Sequence, residues 1–276
     1  METLDYIPNL ELRDGIYFSE KTSAISYPES GNKDCFEIEE NSFWFKHRNE
    51  CILTLINKFS PSSTFFDVGG GNGFVAQHLQ ANGIKTVLIE PGIQGCVNAK
   101  ERGLETVVCS TLEEIALKEN SIPSIGVFDV VEHIEDDVQF LKSLHKYLTP
   151  NGLLYITVPA YQFLWSNEDD DAGHFRRYTI NSMEKKLKSI GFSISFSTYI
   201  FSLLPLPIFL TRSIPSKLGL NSKSNELQKH KNEHSEKTGP LSTFINRIWN
   251  WEIRKMRSNK SIKFGGSVLI VAKKEA

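Results

Sequence analysis

Net charge is nearly absent: 31 Lys and Arg stand against 33 Asp and Glu, a formal charge of −2, so no global field marks the chain as a nucleic-acid binder. Cysteine is scarce, and Cys35, Cys51, Cys96 and Cys109 have no C-x-x-C spacing and sit in apolar or helical stretches. A zinc ribbon or disulfide framework is therefore not expected, and the thiols read as reduced and cytosolic. Long hydrophobic runs are missing too. The longest, residues 199–210, is broken by Pro205 and Pro207 and is too short to cross a bilayer. Residues 1–14 have an acidic start and no signal-peptide pattern, so export is not expected. There is no internal repeat of fixed period. What remains is ordinary apolar content over 276 residues, enough for one good-sized core with appendages.

Apolar residues recur at helical spacing over 43–59, after a turn-rich, weakly patterned stretch at 1–33. Residues 64–68, Thr-Phe-Phe-Asp-Val, are then a short, nearly all-apolar run ending at Gly69, as a central parallel strand requires. From there strands (85–90, 105–108, 125–130, 153–158) alternate with helices (73–81, 92–102, about 136–148), with a turn at 149–152. This order predicts a Rossmann-like doubly wound α/β sheet. A helix at 182–190 opens with a capping box of Asn181 and Glu184 and closes at Gly191. A strand at 193–199, a polar insertion at 212–240, a helix at 241–256 and a last strand at 267–272 complete the chain.

Asp67-Val68-Gly69-Gly70-Gly71-Asn72-Gly73 lies between a strand and a helix, where glycines let the backbone turn sharply and a ligand approach closely. Glu90 ends the next strand about twenty residues on, where a carboxylate can accept both hydroxyls of a ribose. Two ligand classes use this arrangement: dinucleotides, whose pyrophosphate sits on the helix N-terminus, and S-adenosylmethionine, which has no phosphate. Dinucleotide sites favour G-x-G-x-x-G, but the third position of that pattern is Phe74, and Gly69, Gly71 and Gly73 give G-x-G-x-G instead.

D-x-G-x-G-x-G after the first core strand resembles the first motif of class I S-adenosylmethionine-dependent methyltransferases. Phe128-Asp129-Val130-Val131-Glu132-His133-Ile134 looks like the F-D-x-x-E-H-I element of that family, and residues 148–154 resemble its turn before strand five, with Asn151 departing. The strings Phe43-Trp44-Phe45 and 173–179, GHFRRYT, are similar to bacterial methyltransferases of cell-envelope and polysaccharide genes. The resemblance implies a seven-stranded, mostly parallel sheet with an antiparallel last strand, and S-adenosylmethionine as cofactor. It implies that Asp67 organises the glycine turn, Gly69 and Gly71 face the methionine part, and Glu90 holds the ribose. Thr111 and Leu112 would flank the adenine, Phe128 and Asp129 would lie beside the cofactor, and Arg48 would bind its carboxylate. Cys109-Ser110-Thr111 stands where the family usually has an acid.

Methyl transfer is an in-line displacement, so the enzyme aligns a nucleophile and, for a hydroxyl, removes its proton. His133 and His174 are the candidates for that base; the alternative for Glu132 and His133 is to cap the next helix. Arg176 and Arg177 either clamp an anionic substrate or pair with the aspartates of the 168–171 run. Tyr161, Phe163 and Trp165 either wall an acceptor pocket or form a satellite core. Asp129-x-x-Glu132-His133 is similar to the E-x-x-E-H metal motif of some class I O-methyltransferases, with His174 a further donor, but many methyltransferases carry E-H here without metal and none is expected.

The expected organisation is an N-terminal cap and lead-in helix at 1–60, a core at 61–199, an insertion or lid at 200–261 and a final strand at 262–276. The expected function is methyl transfer, most readily to oxygen of a small molecule or a glycan or lipid precursor, in the cytoplasm. The apolar and basic insertion either forms a lid or makes peripheral membrane contact without crossing. The alternatives are an NAD-dependent oxidoreductase and a catalytically silent cofactor-binding protein.

Overall fold

Successive residues of the central strands bury opposite faces, so helices must cover the sheet on both sides. The computed structural model describes residues 10–19, 36, 39–40, 42–59, 64–115, 117–219 and 240–276. Its strands are β1 (Glu11–Arg13), β2 (Ile16–Phe18), β3 (Phe65–Val68), β4 (Thr86–Glu90), β5 (Thr106–Cys109), β6 (Ile122–Phe128), β7 (Leu148–Pro159), β8 (Phe192–Ile200) and β9 (Ser267–Lys274). They form one sheet in the order β1-β2-β5-β4-β3-β6-β7-β9-β8.

β2 through β7 are parallel wherever they meet, and β9 runs antiparallel to both β7 and β8. The antiparallel last strand is as expected, but the described sheet has nine strands, not seven. The two additional strands come from the stretch whose sequence is weakly patterned: β1 and β2 form a hairpin, and β2 pairs with β5. Its two-residue turn has Asp14 at φ 49° and Gly15 at φ 79°, both in the left-handed region that tight hairpins demand.

Phe66, Val87, Ile89, Ile125, Leu154 and Ile156 face one side of the sheet, where α4 (Asp137–Tyr147) and α6 (Ile180–Ile190) add Leu141, Leu144, Met183 and Leu187. Phe65, Tyr155, Leu269 and Val271 face the other, covered by Ile52, Leu55 and Ile56 of α1 (Phe43–Phe59), by α2 (Phe74–Ala81) and by Ile253 and Met256. α3 (Ile93–Glu101) packs Cys96 and Ala99 against Leu88 and Val107. Cys51, Cys96 and Cys109 are free and buried; Cys35 lies outside the described residues.

Two local expectations are corrected. The 149–152 turn is absorbed into β7 as a bulge, with Leu148 opposite Ile122 and Leu153 opposite Ser124. α6 is capped two residues before the expected position: Thr179 and Ser182 make the capping box, and Glu184 instead accepts from the Ser197 hydroxyl and Lys188. Gly191 closes the helix at φ 106°. After the short α5 (Asn167–Asp171) and β8, three consecutive stretches, Pro205–Ile208, Phe209–Ser213 and Ile214–Lys217, form a helical segment, α7, whose middle part is π-helical. α8 (Pro240–Arg257) packs along α1, and no described helix is long and apolar enough to cross a membrane. Within the 212–240 insertion, residues 220–239 lie outside the described residues.

Candidate functional site

The parallel strands all deliver their carboxyl ends to one edge, and β3 and β4 stop there at the two motif turns. Gly71 adopts φ 53° and its amide donates to Glu90 Oε2 at 2.9 Å, while Glu90 Oε1 accepts from the Gly92 amide at 2.8 Å. The Glu90 carboxylate is thus aimed by two backbone bonds, with acceptor capacity left over. Burial raises its pKa, and the same two amides oppose the rise. A Cβ on Gly70 would lie 2.4 Å from Leu88 Cδ1 and 2.6 Å from Asp67 Oδ2, so only glycine fits over the aspartate.

Asp67 itself is fully buried beneath the turn. Burial pushes its carboxyl up to about 7; the Arg48 guanidinium and the Ala76 amide pull it down and Glu90 adds to the rise.

Arg48, on α1, reaches the same edge. It bonds Asp129 Oδ2 at 2.5 Å, and its guanidinium lies 5.0 Å from the ring centres of both Trp44 and Phe45. Its Nε is buried without a partner. Asp129 sits at φ 56°, also accepts from the Thr157 hydroxyl at 3.0 Å, and is fixed by both contacts.

The structure does not bring every expected residue to this pocket. The Phe128 ring turns into the core, parallel to Phe65 at 6.3 Å, and Leu112 packs beside Ile115 and Leu117. Both side chains are buried. Thr111, half-buried there, exchanges hydrogen bonds with Glu114. Of the two readings of the arginine pair, the structure shows pairing with aspartates: Arg177 holds Asp169, of the 168–171 run, through two bonds of 2.7 and 2.9 Å, and Arg176 pairs with Asp137, outside it, at 3.0 Å.

That loop brings the two histidines together. His133 lies in a single helical turn directly after β6, and the Phe175 amide donates to the Glu132 carbonyl at 2.8 Å, drawing the 173–178 strand of loop against it. The His133 and His174 rings meet edge to face at 4.6 Å between centres. Burial and then the neighbouring His174 push His133 down to about 4, so it is neutral near pH 7. Glu132 is buried with Oε2 unpartnered, and burial, reinforced by Asp129, holds its pKa well above the carboxylate range. One donor atom from each of Glu132, His133 and His174 lies within 4.8 Å of the others.

Tyr161, just past β7, stacks on Tyr199 at 5.0 Å and meets Phe163 and Phe264, each at 5.2 Å, forming an aromatic shelf. Phe163 and Phe264 are exposed, which fits a wall better than a closed satellite core. Trp165 instead turns its Nε1 to Asp170. Two residues that sequence patterns do not single out are central here. Asp169 stands behind His174, and Glu252 of α8 accepts from His47 on α1, one residue before Arg48. Only the acidic run preceding GHFRR hints at the first; nothing local hints at the second.

Known proteins of similar sequence include a ubiquinone biosynthesis O-methyltransferase of Rickettsia canadensis, 34% identical over 98 residues, which are 33% of this chain and 40% of that protein. One of Parvibaculum lavamentivorans is 28% identical over 145 residues, 46% of this chain and 57% of that protein. The chain thus spans about half the length of these relatives. Among solved structures, Haemonchus contortus phosphoethanolamine N-methyltransferase 2, in complex with S-adenosyl-L-methionine, superposes with a TM-score of 0.55 at 17% identity. The overlap covers 91% of this chain and 58% of that one, a likeness of fold. Residues 44–195, more than half of the chain, match the model of the methyltransferase domain family, and with the glycine turn, Glu90 and the 128–134 element in the described places, the chain belongs to that family.

Proposed function

We propose that the protein transfers a methyl group from S-adenosylmethionine to an oxygen of a small molecule or of a glycan or lipid precursor. The observation that carries this reading is the Glu90 carboxylate, aimed by the Gly71 and Gly92 amides at the end of β4 beside the glycine turn that Asp67 underlies. A ribose diol suits the acceptor capacity left on Glu90, and the G-x-G-x-G spacing, with Phe74 where a dinucleotide turn has its third glycine, disfavours a nicotinamide dinucleotide. Glu90 would hold the ribose, Gly69 and Gly71 would face the methionine part on the turn that Asp67 organises, and Arg48 would bind its carboxylate, with Asp129 and Thr111 at the rim. When bound, S-adenosylmethionine supplies an electrophilic sulfonium methyl.

The chain's own task is then to align the acceptor and take its proton. His174 suits that role better than His133, whose depressed pKa makes it a weak base. The aromatic shelf of Tyr161, Phe163 and Phe264 offers an apolar wall for the acceptor.

Titration with S-adenosylhomocysteine tests the reading against a silent or nicotinamide-binding protein. Micromolar or tighter binding is expected, with Glu90→Ala at least ~10-fold weaker, since about 1.4 kcal/mol is one decade and a bond to a charged acceptor is worth ~1.5–3 kcal/mol. Binding of NAD but not of S-adenosylhomocysteine overturns it. Bound cofactor analogue with no methyl transfer from labelled S-adenosylmethionine to any fraction of a cell extract favours the silent protein.

A second reading has one specific observation behind it, the unpartnered Glu132 Oε2 beside His133 and His174. Asp129 is occupied by Arg48 and Thr157, so the D-x-x-E-H string does not assemble as a ligand set, whereas these three donors suit a divalent cation. Such an ion would acidify a bound hydroxyl. Turnover unchanged in a rigorously chelated sample eliminates this reading; loss on chelation and recovery on adding magnesium, manganese or zinc supports it.

A further inference from the structure

His174 is not held by its own strand or helix; it lies in a loop, and what fixes its ring is a carboxylate five residues earlier. Asp169 is 1% exposed, and its Oδ1 lies 2.8 Å from His174 Nδ1. The carboxylate cannot swing away. Arg177 grips both oxygens, the Ser166 amide donates to Oδ2 at 2.9 Å, and the His174 amide donates to the Asp169 carbonyl at 2.9 Å. The guanidinium on both oxygens makes the carboxylate a charged acceptor held in one orientation. An ionised carboxylate only accepts, which forces the His174 proton onto Nδ1 and leaves the Nε2 lone pair for whatever lies beyond, on the ring that meets His133.

We propose that Asp169 is the positioning residue of the site, a buried carboxylate that sets the tautomer and direction of His174 so that Nε2 receives the acceptor's proton. The role of His174 as base rests on the function proposed above; the tautomer does not. The proton leaves the acceptor hydroxyl for Nε2 as the acceptor oxygen takes the methyl group, and the imidazolium is stabilised by Asp169, which itself stays unprotonated. Arg177 keeps the carboxylate in register, which explains why an arginine rather than a free substrate clamp follows the histidine.

The test uses the full chain labelled with nitrogen-15 and long-range proton–nitrogen correlation spectra at pH 7.5. His174 is expected as the Nδ1–H tautomer. Asp169→Asn offers N–H as readily as C=O, and a shift toward the Nε2–H form is expected, with methyl transfer from labelled S-adenosylmethionine into cell extract down ~10–100-fold and affinity for S-adenosylhomocysteine within about twofold of the parent. Asp169→Glu, which keeps the carboxylate, and Arg177→Gln, which loosens only the loop, are expected to retain the parental tautomer. Parental His174 protonated on Nε2 overturns the proposal. So does an Asp169→Asn spectrum that keeps the parental tautomer, or an Arg177→Gln protein that reproduces the Asp169→Asn spectrum, since a mere loop staple would behave that way. Absence of S-adenosylhomocysteine binding in the parent would sink the proposed function alone, because the tautomer is read without it.

Discussion

His174→Ala is expected to lower methyl transfer by ~10²–10⁴ while S-adenosylhomocysteine affinity stays near the parental value, the size and pattern of loss for a general base that touches only the acceptor. The geometry sets the expectation for the partner as well. His133 is neutral and weakly basic because it is buried against His174, so His133→Ala should cost less than His174→Ala. The double variant should fall little below His174→Ala, since two rings in contact act as a unit. Single-turnover assays with labelled S-adenosylmethionine check these ratios. A His174→Ala enzyme as fast as its parent would remove the base from this loop; equal, additive losses at both histidines would mean that each contacts the acceptor separately.

The place of the candidate site was legible in the sequence where its signals are local. A glycine turn, the acid at the next strand end and the E-H pair are each a few residues long, and their positions follow once the β-α alternation is read. Side-chain direction was less legible. Phe128 ends β6 on the face opposite Val127, and that alternation sends its ring onto Phe65 rather than to the ligand edge. Leu112, an apolar residue just past β5, is drawn into the core for the same reason that any leucine is. The β1–β2 hairpin has a readable signal, Asp14-Gly15 between Leu12-Arg13 and Ile16-Tyr17, but three-residue strands carry too few positions for a period to emerge. For Arg176 and Arg177 the sequence leaves anion clamp and ion pair open; the fold supplies Asp169 from the neighbouring acidic run for Arg177, and for Arg176 it supplies Asp137, which is 39 residues away and has no local signal.

The least legible contact joins residues about two hundred apart, and it carries the second large expectation. Glu252, completely buried on α8, accepts from His47 Nε2 at 2.9 Å, from the Phe201 amide at 3.0 Å, and from the Ser202 amide and hydroxyl at 2.7 and 2.6 Å. Burial opposes its charge, but the His47 bond and the Ser202 bonds outweigh it and hold the carboxyl below its ordinary value. His47 is stacked on Trp249 at 4.8 Å and meets Phe201 at 5.3 Å, so the same carboxylate locks α1, α8 and the entrance to α7 together.

Glu252→Ala leaves two backbone amides and an imidazole buried without their acceptor, which is expected to destabilise the fold by ~3–5 kcal/mol in urea unfolding. The sign of the pH dependence follows from the lowered pKa. The stabilisation is present above the unfolded carboxylate pKa, is lost as pH falls through the folded one, and should be missing from the variant's profile. Because Arg48 follows His47 on α1 and pairs with Asp129 at the pocket, folded Glu252→Ala protein should also bind S-adenosylhomocysteine more weakly. A stability loss under ~1 kcal/mol would show that water or neighbouring groups replace the carboxylate, and that α8 is docked by its apolar face alone.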